Sequence, residues 1–267
     1  MKERLLKTLD HMITGDVVVA FSGGVDSSVV LRGAMEVASE KGVKVTPVFF
    51  DTVLLTEEER QNAQSVAKAC GKPLTLLKVD SLNIEEIQQN HSDRCYHCKK
   101  TMMTALKQIA KKYQNAIILE GSNQDDTKGY RPGLKALQES GILSPLAVAG
   151  LDKKAVRALA KEWGLSVAER PSTPCLATRF AYNNPIEEAM LRRVERGENY
   201  LKKKGFPIVR LRVAGNDARI EIPTSDFNAF FEEIEPIRTF LKEEGFSKIT
   251  LDLEGFRSGS QDEILKK

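Results

Sequence analysis

Apolar residues in the first two-thirds of the chain fall into short unbroken runs, each followed by a longer amphipathic stretch. The runs at 16–21, 43–50, 74–79 and 116–120 predict strands. The stretches at 27–39, Glu57–Ala69, 84–89, 99–112 and 152–162 predict helices. Strands without polar alternation are covered on both faces, so this half predicts a mostly parallel, doubly wound α/β sheet. In such sheets ligands bind outside the carboxyl ends of the strands. Ser22, Asp51 and Gly121-Ser122-Asn123 all fall at such ends. Thr56 before three glutamates and Asp152 before Lys153-Lys154 are expected helix caps. A further short strand is expected between Pro145 and Gly150, and a first helix at the amphipathic N-terminus.

The pattern changes after residue 167. The stretch 168–184 carries Pro171, Pro174, Cys175, Thr178 and Arg179 without a clear period, as functional loops often do. Beyond it the chain predicts a helix at 186–204, strands at 208–213 and 217–221, a helix at 226–243 and a strand at 248–252. Arg210-Leu211-Arg212-Val213 and Arg219-Ile220-Glu221-Ile222 alternate, giving each strand one apolar and one charged face. The bend Gly215-Asn216-Asp217 joins them as a hairpin. The expected organisation is an α/β domain at 1–184 and a small α+β domain at 185–267.

The richest chemistry lies in Val17-Val18-Val19-Ala20-Phe21-Ser22-Gly23-Gly24-Val25-Asp26-Ser27-Ser28. A buried strand runs into a glycine turn and then a helix start, which aims backbone N–H groups and two serine hydroxyls at an anion. No lysine follows the glycines, which excludes the GxxxxGK[ST] nucleotide loop. The turn resembles the SGGxDS loop of the N-type ATP pyrophosphatases, which grip the pyrophosphate of ATP and form an adenylate. On that reading Ala20, Ser22, Gly23, Gly24, Asp26, Ser27 and Ser28 contact the nucleotide. Asp26 suits Mg²⁺, and Asp51 suits ribose or the adenine amine. Gly121, Asn123, Asp126 and Arg131 complete the expected rim, with turn formation as the plain alternative for the Asp/Asn cluster.

Cysteine spacing adds a second chemistry. Of the four cysteines, Cys70 follows a helix and reads as a small packed hydrophobe. Cys95 and Cys98 form a C-x2-C pair, and Cys175 between two prolines is the obvious third thiolate. Three thiolates fit an iron–sulfur centre with one iron left open. A Cys3His zinc site using His97 and uncoordinated thiols stay open beside it.

Composition narrows the rest. The chain has 267 residues, 41% hydrophobic and 29% charged, enough for a substantial core. Its 40 basic and 37 acidic residues leave a formal charge of +3, too small to argue for nucleic acid, and basic runs such as Lys153-Lys154 read as solvated surface. No stretch has the length of a membrane span, and the N-terminus lacks an export signal, so a cytoplasmic location is expected. Three arginines on one ribbon, Arg210, Arg212 and Arg219, exceed what solubility requires and suit phosphate or carboxylate, with ordinary ion pairing to Glu221 and the other tail carboxylates as the plain alternative.

Taken together, these motifs resemble the LarE family, ATP-dependent sulfur insertases of nickel-pincer cofactor synthesis. The likeness rests on Ser22–Ser27, the block 121–126, Pro174-Cys175-Leu176-Ala177-Thr178-Arg179, the arginine ribbon and Gly255-Phe256-Arg257-Ser258-Gly259. It implies ATP and Mg²⁺ as cofactors, and a pyridinium mononucleotide as small-molecule substrate. Its carboxylates would be adenylated and converted to thiocarboxylates, in a chain that forms homo-oligomers. By the same likeness Glu198, Arg210, Arg212, Glu221 and Arg257 lie near the substrate. Cys95, Cys98 and Cys175 mark the branch thought to hold a [4Fe-4S] cluster carrying sulfide, supplied by sulfide or another donor. The rival enzymes are a three-cysteine tRNA thiolation enzyme and an ammonia-using amidating ligase. The non-enzymatic rival is a zinc-stabilised ATP sensor.

Overall fold

β-Branched runs become strands, and stretches with an apolar stripe become the helices that cover them. The computed structural model describes residues 1–127, 132–257 and 259–261, and these divide into two units. The first holds the described residues within 1–81 and 93–173; the second holds those within 82–92 and 174–261. In chain order the elements are α1 (Lys2–Met12), β1 (Val17–Ala20), α2 (Val25–Lys41), β2 (Val45–Asp51), α3 (Glu57–Ala69) and β3 (Thr75–Lys78). There follow α4 (Glu85–Gln88), α5 (Arg94–Ala110), β4 (Ile117–Leu119), α6 (Pro132–Ser140), α7 (Pro145–Val148) and α8 (Lys153–Glu162). The remainder are α9 (Glu188–Lys203), β5 (Arg210–Ala214), β6 (Asp217–Glu221), α10 (Phe227–Glu232), α11 (Ile234–Glu243) and β7 (Lys248–Leu251).

The first unit is an α/β layer structure around a parallel sheet of order β3-β2-β1-β4. Successive residues of β1 face opposite ways. Val17 and Val19 join Leu5, Leu9, Val29, Ala63, Val66 and Leu159 in one core cluster. Val18 joins Met103, Leu106, Ala110, Leu137 and Ile142 in the other, under α5 and α6. Helices on both faces explain why the strands read as unbroken apolar runs. They also place the turn after β1, Asp51 at the end of β2 and the 120–126 segment after β4 on one edge.

The expected caps form: Thr56 accepts the Glu59 N–H at 3.2 Å and Asp152 the Ala155 N–H at 2.7 Å. Cys70 ends α3 half-buried against the core, and burial pushes its thiol pKa up. Four elements differ from expectation, the first being α6, a helix that the sequence reading does not place. The helix expected from 99 begins at Arg94, so Cys95 and Cys98 lie on the first turns of α5 rather than in a loop. The strand expected at 145–150 is the helical turn α7, because Pro145 takes its first position and its fixed φ favours a helix start there. The helix expected at 226–243 is divided at Glu233 into α10 and α11.

In the second unit β5 and β6 form the expected antiparallel hairpin, and β7 adds parallel to β6. Leu211, Val213, Ala218 and Ile220 turn to the buried face; Arg210, Arg212, Arg219 and Glu221 share the other. Segment 82–92 belongs here through Asn90, whose amide donates to the Phe180 and Ala181 carbonyls at 3.1 and 2.8 Å. Phe180 in turn makes an isolated parallel bridge to Val213. No helix among the described residues is long and apolar enough to cross a membrane.

Candidate active site

In the first unit, the turn after β1 holds its shape through its own hydroxyls. Gly23 has φ +73°, and a Cβ there would lie 2.6 Å from the Ala63 Cα, so only glycine fits. Ser27 Oγ donates to the Gly24 carbonyl at 3.1 Å and accepts the Ser22 N–H at 3.3 Å. Ser28 Oγ donates to the same carbonyl at 2.8 Å, while Ser22 Oγ accepts the Gly24 N–H at 3.3 Å. Asn62 of α3 donates to the Gly23 carbonyl at 2.8 Å. With its carbonyls tied back, the turn faces outward with the first-turn N–H groups of α2, a pre-built anion cradle.

The segment after β4 closes against this turn. A Cβ on Gly121 would meet the Ser27 N at 2.9 Å, so glycine permits the approach. Asn123 Nδ2 donates to Asp26 Oδ1 at 3.1 Å, and Asp126 accepts the Asn123 N–H at 3.0 Å. Buried Glu120 accepts the Ser122 N–H and hydroxyl, both at 2.9 Å. The other oxygen of Asp26 takes the ammonium of Lys153, at the start of α8. Sequence reasoning placed Lys153 on solvated surface, because no local pattern ties residue 153 to residue 26. Both Asp26 oxygens are thus engaged, so a Mg²⁺ ion bound there would take the place of the Lys153 ammonium. Asp51 pairs with Arg60 at 2.6 Å. Ala20 ends β1 half-buried below the turn. Arg131 lies outside the described residues, as does Ser258 of the Gly255–Gly259 motif.

Cys95 is exposed and Cys98 half-buried, one helical turn apart and therefore on the same side of α5. Cys98 Sγ lies 4.0 Å from Met102 Sδ, and His97 Nε2 lies 3.2 Å from Asp93. Two thiols on one helix side suit a metal centre as donors. Within either unit no three His, Cys, Asp or Glu side chains stand together as a metal site among the described residues.

In the second unit, half-buried Cys175 begins a single 3-10 turn, Leu176–Arg179. Nearby, the charged sheet face and the segments 178–181 and 252–261 line a cavity of 690 Å³. Its floor is an interlocked charge network. Arg212 Nε donates to both oxygens of buried Glu221 at 3.0 Å, and its other nitrogens reach the Thr178 carbonyl, Gln261 at 3.2 Å and Ser260 at 3.0 Å. Arg219 lies 3.3 Å from Glu221 and 3.4 Å from Asp252 and is half-exposed, and exposed Arg257 pairs with Glu254 at 2.7 Å. Arg219, Lys248 and Arg257 are the cavity's accessible cations.

Two expected residues stand apart from the cavity lining. Arg210 packs its guanidinium 5.3 Å from the Phe256 ring and donates to the Val209 carbonyl. Burial, aided by the positive charge of Arg179, lowers its pKa to about 10, which leaves it cationic at neutral pH. Glu198 is buried on α9, held by Arg179 at 2.8 and 2.9 Å and by the Leu211 N–H at 2.9 Å. Sequence reasoning named Arg179 only within the 174–179 motif and did not single out Lys248, Ser260 or Gln261, since only folding brings these separate segments to one cavity.

A doubly wound parallel sheet with a self-tied glycine turn at the end of its first strand defines a nucleotide-binding α/β enzyme of the PP-loop class. Residues 1–132 match the PP-loop domain family. The chain is 37% identical over 251 residues to the pyridinium-3,5-bisthiocarboxylic acid mononucleotide synthase of Lactiplantibacillus plantarum, covering 94% of this chain and 90% of that protein. An uncharacterized protein of Synechocystis sp. is 36% identical over 94% of this chain and 93% of its own length. One from Methanocaldococcus jannaschii is 32% identical over 91% of each. The chain belongs to the LarE family, that of the Lactiplantibacillus plantarum synthase. ATP-dependent sulfur transferase is the enzyme class that goes with this membership.

Proposed function

We propose that the chain uses ATP to adenylate a carboxylate of pyridinium-3,5-biscarboxylic acid mononucleotide and converts it to a thiocarboxylate. The observation that carries this reading is the charged cavity of the second unit, whose lining sets Arg179, Arg212, Arg219, Lys248 and Arg257 against the carboxylates of Asp217, Glu221, Asp252 and Glu254. A mononucleotide with a phosphate and two ring carboxylates is a small polyanion, which Arg219, Lys248 and Arg257 match in charge. Arg212 and Glu221 are fully engaged with each other and their neighbours, so they fix the floor against which such a ligand is read.

In the first unit, the outward N–H groups of the α2 terminus and the Ser22 hydroxyl cradle the phosphates, while the Ser27 and Ser28 hydroxyls, committed to the Gly24 carbonyl, hold the turn in shape. Asp26 would hold Mg²⁺, with Asn123 fixing one carboxylate oxygen. The substrate carboxylate attacks the α-phosphorus, the α–β bridging P–O bond breaks, and pyrophosphate leaves with its electron pair. Attack of a sulfur nucleophile on the acyl-adenylate then expels AMP. Cys95, Cys98 and Cys175 would hold an iron–sulfur cluster, which when bound supplies that sulfur. The three thiols suit it chemically, with Cys95 and Cys98 on one helix side and Cys175 fixed at the head of a short turn.

Anaerobic purification with iron, zinc and acid-labile sulfide analysis tests the sulfur source, and mass spectrometry of the product tests the reaction. Roughly four iron and at least four sulfides per chain, with AMP and a thiocarboxylate formed from the biscarboxylate, are expected. Stoichiometric zinc without labile sulfide overturns the cluster. Absence of AMP formation with this substrate overturns the whole reading.

A further inference from the structure

Glu198 has the outward marks of a catalytic acid or base, yet its surroundings assign it other work. Its side chain is 3% exposed. Oε1 accepts from Arg179 Nε at 2.8 Å and from the Leu211 N–H at 2.9 Å, and Oε2 accepts from Arg179 Nη2 at 2.9 Å. Arg179 is 1% exposed and equally committed. Its Nη1 donates to the Pro174 carbonyl at 2.9 Å, the Cys175 carbonyl at 3.3 Å and Thr178 Oγ1 at 2.9 Å. Thr178 returns to the same Cys175 carbonyl through its hydroxyl at 2.9 Å and its N–H at 3.1 Å. One guanidinium thus fastens the peptide groups on both sides of the Cys175 Cα, and one carboxylate fixes that guanidinium to α9 and β5.

We propose that Arg179 and Glu198 form a buried anchor that positions Cys175, and that Glu198 neither touches substrate nor exchanges protons with it. The bidentate fork gives Arg179 a fixed orientation that lysine cannot reproduce. The pair has its charges balanced within itself, so its desolvation cost is met locally while the loop gains one defined conformation. The Cys175 thiol is therefore held in place by bonds to its backbone, leaving its sulfur free of them.

The inference concerns the residue that the proposed sulfur transfer uses, but its decisive test needs neither substrate nor sulfur. The full chain, stripped of bound metal, is treated with iodoacetamide and the modified peptides are followed by mass spectrometry. Arg179→Lys speeds alkylation of Cys175 by about tenfold, as loss of a charged backbone clamp predicts, with Glu198→Gln intermediate. Cys70, Cys95 and Cys98, in the other unit, serve as internal controls and change less than about twofold. Because a half-broken buried pair can unfold the unit, Arg179→Met combined with Glu198→Leu supplies a variant that keeps the packing and lacks the clamp. It too alkylates Cys175 faster. A folded variant whose Cys175 reacts at the wild-type rate overturns the anchor.

A second measurement reads the enzyme. In Glu198→Gln the rate of thiocarboxylate formation falls while KM for the biscarboxylate and the shape of the pH profile stay as in the wild type. Loss of the acidic limb of that profile shows Glu198 titrating against substrate and overturns the proposal. If no thiocarboxylate forms in the wild type either, sulfur transfer is refuted while the alkylation result stands by itself.

Discussion

The turn after β1 and the charged face of the β5-β6-β7 sheet are built from opposite materials. The turn uses backbone amides and neutral hydroxyls supplied by seven consecutive residues, 22–28, that bond chiefly among themselves. The sheet face uses charged side chains from separate strands and loops, with Glu221 bonded to both Arg212 and Arg219. A local backbone cradle depends on conformation and has little to lose from charge substitution. A long-range charge network depends on every partner, because each buried ion left alone is costly. The difference teaches where each region is vulnerable, and substitutions can break the contrast or sharpen it.

The largest expected effect is on sulfur transfer. Cys175→Ala abolishes thiocarboxylate formation and leaves AMP and pyrophosphate release measurable. If it forms product at the wild-type rate, the sulfur role of Cys175 is wrong. Next is the cradle: Gly23→Ala places a Cβ against Ala63 at positive φ, costing roughly 2 kcal/mol or more. Pyrophosphate release then falls by about a hundredfold. The contrast breaks if calorimetry shows ATP affinity unchanged.

Within the sheet face, Arg212→Ala leaves the buried Glu221 carboxylate with the half-exposed Arg219 as its remaining cation and lowers unfolding free energy by about 3 kcal/mol in denaturant titration. Arg219→Ala, at a half-exposed position, costs under about 1 kcal/mol in stability yet weakens binding of the anionic substrate by about tenfold. Equal stability losses for the two would show the network is not layered in this way. The smallest effect is expected at Thr56→Ala, which removes the cap of α3 and costs about 1 kcal/mol, read as a lowered Tm with ATP affinity retained.

Much of the first unit was legible before the structure. The strands at 16–21 and 43–50 were found within two residues at each end, and α3 and β6 to the residue, because their signals are local. The start of α5 was missed although Asp93, a favoured cap residue, stands at it, because the Cys95–Cys98 spacing reads equally as a short ligand loop. Lys153 was read as surface because its carboxylate partner lies 127 positions away. Segment 82–92 reads from sequence as a helix of the first domain, whereas the Asn90 amide bonds to Phe180 and Ala181, and the Asn183 and Ile186 N–H groups bonded to the Asn90 and Gln88 carbonyls, attach it to the second unit.

Glu198 shows the same limit from the other side. Family likeness put it near the substrate, whereas its partners turn it toward Arg179 and the backbone of β5. What the sequence alone determined was the parallel sheet, the glycine cradle and the three-cysteine inventory, since each is written in neighbouring residues or in spacing and residue type. What only the tertiary structure decided was which charges meet: Asp26 with Lys153, Arg212 with Glu221, Arg179 with Glu198. Ion pairs act through space over a few ångströms, and no local period records which distant strand or helix folding brings within that reach.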